Sequence, residues 1–314
     1  MAAVRPLPTF HEKLNLFFTL FDPTLRLAEE LLSSHRHAQE VVLLLCARLD
    51  ALACCIAPAD QPNRRSFTNL LTNYSGYRDL MASVSLGDLY YELGFHRWLA
   101  EGMIPKPGRL LRFSDLDDPI ISLLDRSGIP LTSAAAQQFL SRIMRVLNSN
   151  YRCRPGQPHR KLTLAKPKSI AAKLEAEFRS SRDRDISGQI GEAIQPLLER
   201  QTVAGLLYSG FRNNAVHGAK VEFEETTFFR ASQPYWQPMY PDYYPPFMTI
   251  KFPGRFLLDV LHNCLRTLKG KMLATGKLPP DVHFHVFGPG GSEVGFLDHA
   301  LLATPIEGRV KFRS

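Results

Sequence analysis

Four polar side chains between positions 212 and 217 are of types that could act on a phosphate. They are Arg212, Asn213, Asn214 and His217, in the stretch TVAGLLYSGFRNNAVHG. A guanidinium can hold phosphate oxygens, an imidazole can accept and return a proton near neutral pH, and an amide can orient either group. Together they could bind a phosphodiester and assist its cleavage.

The same residues also allow a purely structural interpretation. A histidine in the last turn before a glycine can simply be a favourable partner of the helix dipole, and an arginine beside asparagines can be solvated surface. Spacing alone does not decide between the two interpretations, because short motifs often match by chance.

The stretch from Thr202 to Gly218 is predicted to be one helix. Its apolar stripe consists of Leu206, Leu207, Phe211, Ala215 and Val216. Positions five apart on an α-helix are rotated by roughly 140°, so Arg212 and His217 do not share a face of an ideal helix. They can meet if the last turn is distorted, if the long arginine folds back, or if a second copy of the helix supplies the partner.

The run Arg212-Asn213-Asn214-Ala215-Val216-His217 resembles the signature of the HEPN superfamily, in which an arginine and a polar residue precede a histidine. The sequence from Phe211 to Gly218 is similar to that of bacterial members. The resemblance covers roughly residues 24–76 and 185–275. It implies a metal-independent endoribonuclease without a cofactor. In that chemistry the ribose 2′-OH attacks the neighbouring phosphate and leaves 2′,3′-cyclic phosphate and 5′-OH ends.

The resemblance also implies a role for each motif residue. Arg212 would hold the phosphate, His217 would shuttle the proton, Asn213 would orient the site, and Asn214 would contact the substrate. The family generally assembles its site from two motif copies, which implies a homodimer with the motif helices face to face. Toxin or anti-phage defence effectors held silent by an antitoxin or regulatory subunit use the same chemistry. The alternative is a non-catalytic HEPN-like module that binds RNA, nucleotide or protein.

A second, strongly apolar helix from about His35 to Ala57 is expected to lie at the centre of a bundle. Arg48 and Asp50 interrupt it, and charges inside a protein are costly unless they are paired or used. One of them could support the Arg212 site, as polar residues of this helix do in some HEPN relatives, or each could face a gap at the helix surface. A two-residue offset puts them on different faces, so both cannot point into the same site.

Basic residues elsewhere are candidates for contacts with an RNA backbone. Arg65 begins a short helix, and a proline-stiffened loop carries Arg152, Arg154, Arg160 and Lys161. Cations on such a loop could follow a chain of phosphates; a solvated helix start and a solvated linker are the structural alternatives. The formal net charge of +8 is consistent with a polyanionic partner.

The predicted fold is mainly α: a HEPN-like helical bundle with a helical insertion and a small β appendage toward the C-terminus. Residues 1–76 and 166–275 are expected to form the two parts of the core, residues 77–165 the insertion, and residues 276–314 a tail with short strands. Strands are predicted at Val221–Phe223, Thr226–Phe229, Phe247–Phe252 and Val282–Phe287. The aromatic stretch that begins with Tyr235 and Trp236 is predicted to be a loop.

Composition and cysteine usage indicate a globular protein of a reducing compartment. Hydrophobic residues make up 45% of the chain, and its five cysteines form no Cys-x-x-Cys pair, which favours free thiols over disulfides or zinc. Asp115, Asp117 and Asp118 suggest a metal site, but Ser114 and Asp117 before an apolar run are better explained as helix caps. His283 and His285 lack a third ligand. No secretory signal or membrane span is recognisable, so a cytoplasmic protein is expected.

Overall fold

The computed structural model describes residues 10–56, 63–89, 92, 138, 141–143, 145–146, 164–179, 184–212, 225–239, 247–276, 284–287 and 293–297. Most of these residues are helical, and the strands are few and short. The prediction of a mainly α fold is therefore confirmed.

The helices and strands follow one another in a mixed order. The first part of the chain contains α1 Phe10–Thr19, α2 Asp22–Ser34, α3 Ala38–Ile56, α4 Asn63–Tyr74, α5 Arg78–Met81 and β1 Val84–Ser85. The middle contains β2 Leu164–Ala165, α6 Pro167–Arg179, α7 Arg184–Arg200, α8 Val203–Leu206 and a π-helix Leu207–Arg212. The last part contains α9 Glu225–Arg230, β3 Tyr235–Met239, β4 Phe247–Lys251, α10 Gly254–Thr275, β5 Phe284–Phe287 and β6 Glu293–Leu297.

These elements belong to two compact units. The first draws on Met1–Met81, Leu207–Gln233 and Pro253–Ser314, and the second on Ala82–Leu206 and Pro234–Phe252. The expected boundary at residue 165 does not coincide with this division. Leu164 and Ala165 pair with Ser85 and Val84, and α6 packs on α7, so residues 166–206 belong with the preceding segment.

Helix α3 lies at the centre of the first unit, in contact with α2, α4, α9, α10 and the π-helix. Its fully buried side chains are Val41, Val42, Leu45, Cys46, Leu49, Leu52, Ala53 and Ile56. They recur every three or four residues, as the core-facing side of a helix requires. Leu43 on another face is 40% exposed, so α3 is not buried all round.

The ends of α2 and α10 follow the chemistry of their terminal residues. Helix α2 has Pro23 in its first turn, where a missing N–H costs nothing, and His35 closes it in the left-handed conformation at φ 54°. Helix α10 follows Pro253 and ends at Gly276, which has φ 60°. Cap and proline signals in the sequence alone predict helices over Asp22–Ser34 and from Pro253 to about Thr275, and the structure agrees to within one residue.

A buried polar cluster holds the second unit together. Asp88 accepts hydrogen bonds from the hydroxyl of Ser85, from the hydroxyl of Thr249 at 2.8 Å and from the backbone N–H of Ile250 at 3.2 Å. The indole N–H of Trp236 donates to Ser85 Oγ at 3.1 Å. The cluster thereby ties both strands of the antiparallel β3–β4 hairpin to the segment that follows β1.

Two local predictions were wrong. Thr226–Phe229 lies in helix α9, where Phe228 and Phe229 are buried, because packing outweighs the strand preference of threonine and phenylalanine. Tyr235 and Trp236 belong to strand β3, which also contains Pro238. Several residues considered from the sequence lie outside the described residues: the predicted strand Val221–Phe223, the carboxylates Asp115, Asp117 and Asp118, and His283.

Candidate functional site around Arg212

The segment that leads to Arg212 is fixed at its start by Thr202. The hydroxyl of Thr202 accepts a hydrogen bond from the N–H of Gly205 at 3.0 Å, which makes it an N-cap. Thr202 also forms an antiparallel bridge with Val84, and the N–H of Val203 donates to the carbonyl of Ser83 at 2.9 Å. The sequence therefore begins a new helix here, two residues after α7 ends.

From Leu207 to Arg212 the helix is a π-helix, not the α-helix that was predicted. A π-turn contains more residues than an α-turn, so it changes which side chains share a face, and such turns are frequent at functional sites. The π-helix is only six residues long, which is too short for an apolar pattern to distinguish the two helix types, so the sequence did not reveal the change. Leu207 is completely buried, whereas Ser209 and Gly210 are exposed.

Arg212, the last residue of this π-helix, is buried against α3. Its Nε donates to Asp50 Oδ1 at 3.0 Å and its Nη2 to Asp50 Oδ2 at 2.7 Å. The two side chains are 8% and 21% exposed. This bidentate, charge-assisted contact fixes the plane of the guanidinium. The hydrogen bonds that Arg212 donates to Asp50 raise the pKa of Arg212, so the arginine stays charged in spite of its burial.

A tyrosine ring covers the same guanidinium. The Cζ atom of Arg212 lies 5.1 Å from the centroid of the Tyr208 ring, within the range of a cation–π contact. Tyr208 in turn packs edge-on against Phe67 of α4, with the ring centroids 5.5 Å apart. Arg212 therefore has a carboxylate at one edge of its guanidinium and lies over an aromatic ring.

Two cysteines of α3 lie near this cluster, and neither is poised as a nucleophile. Burial raises the pKa of Cys46 to about 12, and burial together with the negative charge of Asp50 raises the pKa of Cys54. A thiol reacts as its thiolate, so both groups are less reactive at neutral pH than a free cysteine.

The structure separates the two charges that interrupt α3. Asp50 contacts Arg212, while Arg48 Nε donates to the hydroxyl of Thr24 on α2 at 2.8 Å. Arg65 is exposed in the first turn of α4. The other predicted site residues lie outside the part of the chain that the structure describes: Asn213, Asn214, His217, Arg152, Arg154, Arg160 and Lys161.

Tyr208 was not among the residues selected from the sequence, although a signal for it exists. It stands four residues before Arg212, a spacing at which helical side chains meet. The ring of Tyr208 was assigned no role, whereas Phe211, next to the arginine, is part of the family resemblance. Asp88, which the sequence also gave no reason to select, belongs to the polar cluster of the second unit.

The described residues around Arg212 supply a fixed cation and no metal ligand set. Among them, no three histidine, cysteine, aspartate or glutamate side chains come together in a way that could hold a metal ion. Within the same residues, every helix is too short or too polar to cross a membrane.

Comparison with known proteins adds no assignment for this site. No protein-family model, no curated protein and no solved structure matches the chain. The chemistry of the site therefore has to be argued from its own residues.

Proposed function

We propose that the protein is an endoribonuclease of the HEPN type that cleaves RNA without a metal ion and acts as a homodimer. The observation that carries this proposal is the bidentate pair between Arg212 and Asp50. Burying an arginine is costly, and the pair holds its guanidinium in one orientation at the end of a π-helix. Such an orientation is what recognition of a phosphate in one geometry requires.

In the proposed reaction, the 2′-oxygen of a ribose attacks the adjacent phosphorus and the bond from phosphorus to the 5′-oxygen breaks. His217 accepts the proton that leaves the 2′-OH and donates a proton to the 5′-oxygen. Arg212 stabilises the charge on the phosphoryl oxygens, and Asn213 orients the reacting groups.

Within this proposal Asp50 supports Arg212 and does not contact the substrate. A carboxylate repels phosphate, and the carboxylate of Asp50 is already engaged by Arg212. Asp50 would therefore act on the substrate only through the arginine that it positions.

The activity is tested by incubating end-labelled RNA with the purified protein in EDTA. We expect cleavage products with 2′,3′-cyclic phosphate ends, and we expect Arg212→Ala and His217→Ala to abolish them. Arg255→Ala is a matched control, because Arg255 is an exposed arginine of α10 to which no role is assigned. Cleavage that survives both motif substitutions would contradict the proposal, and cleavage of DNA alone would refute the substrate class.

A non-catalytic module is the second candidate, and the burial of Arg212 favours it. An arginine that is 6% exposed and paired with a carboxylate is also what a purely structural residue looks like. This candidate predicts that wild-type protein binds RNA in a fluorescence anisotropy titration and leaves it intact. The Arg212→Ala variant would then lose thermal stability without losing any activity.

The homodimer is testable by light scattering. If the motif helices of two copies face each other, the chain should have twice its monomer mass at the concentrations at which it cleaves RNA. A monomeric mass under those conditions would contradict a site shared between two copies.

A further inference from the structure

Tyr208 and Asp50 restrain the guanidinium of Arg212 from two different directions. Asp50 engages one edge of the group through Nε and Nη2, whereas the Tyr208 ring lies against the group from another side, with Cζ over the ring and 5.1 Å from its centroid. Two hydrogen bonds hold one edge of a guanidinium in place, but they allow its plane to rotate about the line that joins them. A ring packed against the group opposes that rotation.

The ring of Tyr208 is itself held in place. It packs edge-on against Phe67, which is completely buried in α4, and α4 contacts the π-helix. Tyr208 is half-buried, so its ring links the core to Arg212. A rotation of the ring away from the arginine would break the contact with Phe67.

Tyr208 and Arg212 lie on the same π-helix. They are its second and last residues, and they approach closely enough for a cation–π contact. This short segment therefore carries both partners of the contact.

We propose that Tyr208 is a positioning residue for Arg212, and that its aromatic ring, rather than its hydroxyl, sets the orientation in which the guanidinium meets a phosphate. The catalytic part of this inference rests on the proposed ribonuclease function. The structural part, that the ring restrains Arg212, does not depend on it.

The ring and the hydroxyl are separated by two substitutions. Tyr208→Leu removes the ring and keeps a similar apolar volume, whereas Tyr208→Phe removes only the hydroxyl. Tyr77→Leu is the matched control, because Tyr77 is also half-buried in the same unit but contacts Phe256 and Asp259 of α10. All three variants are first compared with wild type by thermal unfolding.

On RNA, we expect Tyr208→Leu to lower kcat about tenfold with KM changed less than about threefold, since a misoriented group loses transition-state contacts above all. Tyr208→Phe should keep kcat within about twofold of wild type, since the ring face remains. Equal losses in Tyr208→Leu and Tyr77→Leu would overturn the inference. So would a loss in Tyr208→Phe as large as that in Tyr208→Leu.

A second readout does not require any activity. The Nε–H resonance of Arg212, assigned by its disappearance in Arg212→Lys, should exchange slowly with water in wild type and at least about tenfold faster in Tyr208→Leu. Unchanged exchange would overturn the inference. If wild type cleaves no RNA but the exchange changes as expected, the ribonuclease proposal fails and the restraint on Arg212 stands.

Discussion

Arg212 lies in surroundings that its neighbours in sequence do not indicate. It precedes Asn213 and Asn214, so a solvated side chain was one interpretation, yet it is 6% exposed. Its partner Asp50 is 162 positions away, a separation that no local pattern can bridge. The sequence did indicate that a charge within an apolar helix needs a partner. It could not indicate that Asp50 rather than Arg48 faces Arg212, because that depends on how α3 is rotated in the bundle.

The first prediction concerns the ion pair itself. Asp50→Leu leaves the charge of Arg212 buried without its carboxylate and should lower the free energy of unfolding by about 3 kcal/mol. The double variant Asp50→Leu, Arg212→Met should recover part of that loss, because an apolar pair needs no compensating charge. Urea denaturation of both variants measures the difference.

Arg48→Met is the comparison for this prediction. Arg48 is also a charged residue of α3, but it donates to a neutral hydroxyl, that of Thr24 on α2. Its removal should cost about 1 kcal/mol. If Asp50→Leu destabilises the protein no more than Arg48→Met does, the pair with Arg212 contributes nothing to the fold.

At the scale of elements, the sequence predicted the helices whose ends are marked by their own residues. Asp22 and Pro23 start α2, and the apolar repeat of α3 is evident without the structure. Helix α9 and the π-helix were missed for a shared reason. Buried phenylalanines make the Thr-Thr-Phe-Phe run of α9 helical, and the packing of Leu207 and Tyr208 accompanies the wider turn. Neither contact can be read from a window of sequence.

The start of the motif helix depends on a glycine, which gives a second prediction. A Cβ atom on Gly205 would lie 2.5 Å from the carbonyl oxygen of Glu199 and 2.6 Å from that of Arg200. Backbone oxygens cannot move aside as a flexible side chain can, so Gly205→Ala should destabilise the protein by about 2 kcal/mol or more. Gly210→Ala is the control, since nothing lies within 4 Å of its added Cβ. Equal melting temperatures for the two variants would contradict this account of Gly205.

The buried carboxyl of the second unit gives a third prediction. Burial raises the pKa of Asp88, although its hydrogen bonds from Ser85, Thr249 and Ile250 and the charge of Lys251 oppose the shift. A carboxyl with a raised pKa in the folded state is protonated in the folded protein before the unfolded one. Its favourable contribution is therefore fully present below the ordinary aspartate pKa and is lost as the pH rises through the folded pKa.

Wild type and Asp88→Asn are compared to isolate this effect, because asparagine does not titrate. The free energy of unfolding of wild type, relative to that of the variant, should increase as the pH is lowered from 7 toward the ordinary aspartate pKa of about 4. The same comparison with Asp79→Asn, at an exposed aspartate of α5, should show no such increase. A difference that is flat with pH, or that decreases in acid, would contradict the raised pKa.

In the whole molecule, the boundary between the two units falls between Leu206 and Leu207, inside the motif segment. Arg212 therefore belongs to the first unit and the Thr202 cap to the second. On an ideal α-helix Arg212 and His217 would not share a face. A homodimer resolves this difficulty if the arginine of one copy and the histidine of the other serve the same phosphate.

Mixing two inactive variants tests that arrangement directly. If each site takes Arg212 from one copy and His217 from the other, a dimer of one Arg212→Ala chain and one His217→Ala chain retains one intact site. Random exchange of an equimolar mixture makes half of the dimers mixed, so activity should return to about one quarter of the wild-type level. A site built within one chain predicts no recovery at all. Native mass spectrometry of the mixture verifies that subunits have exchanged. An exchanged mixture without ribonuclease activity would then contradict the shared site.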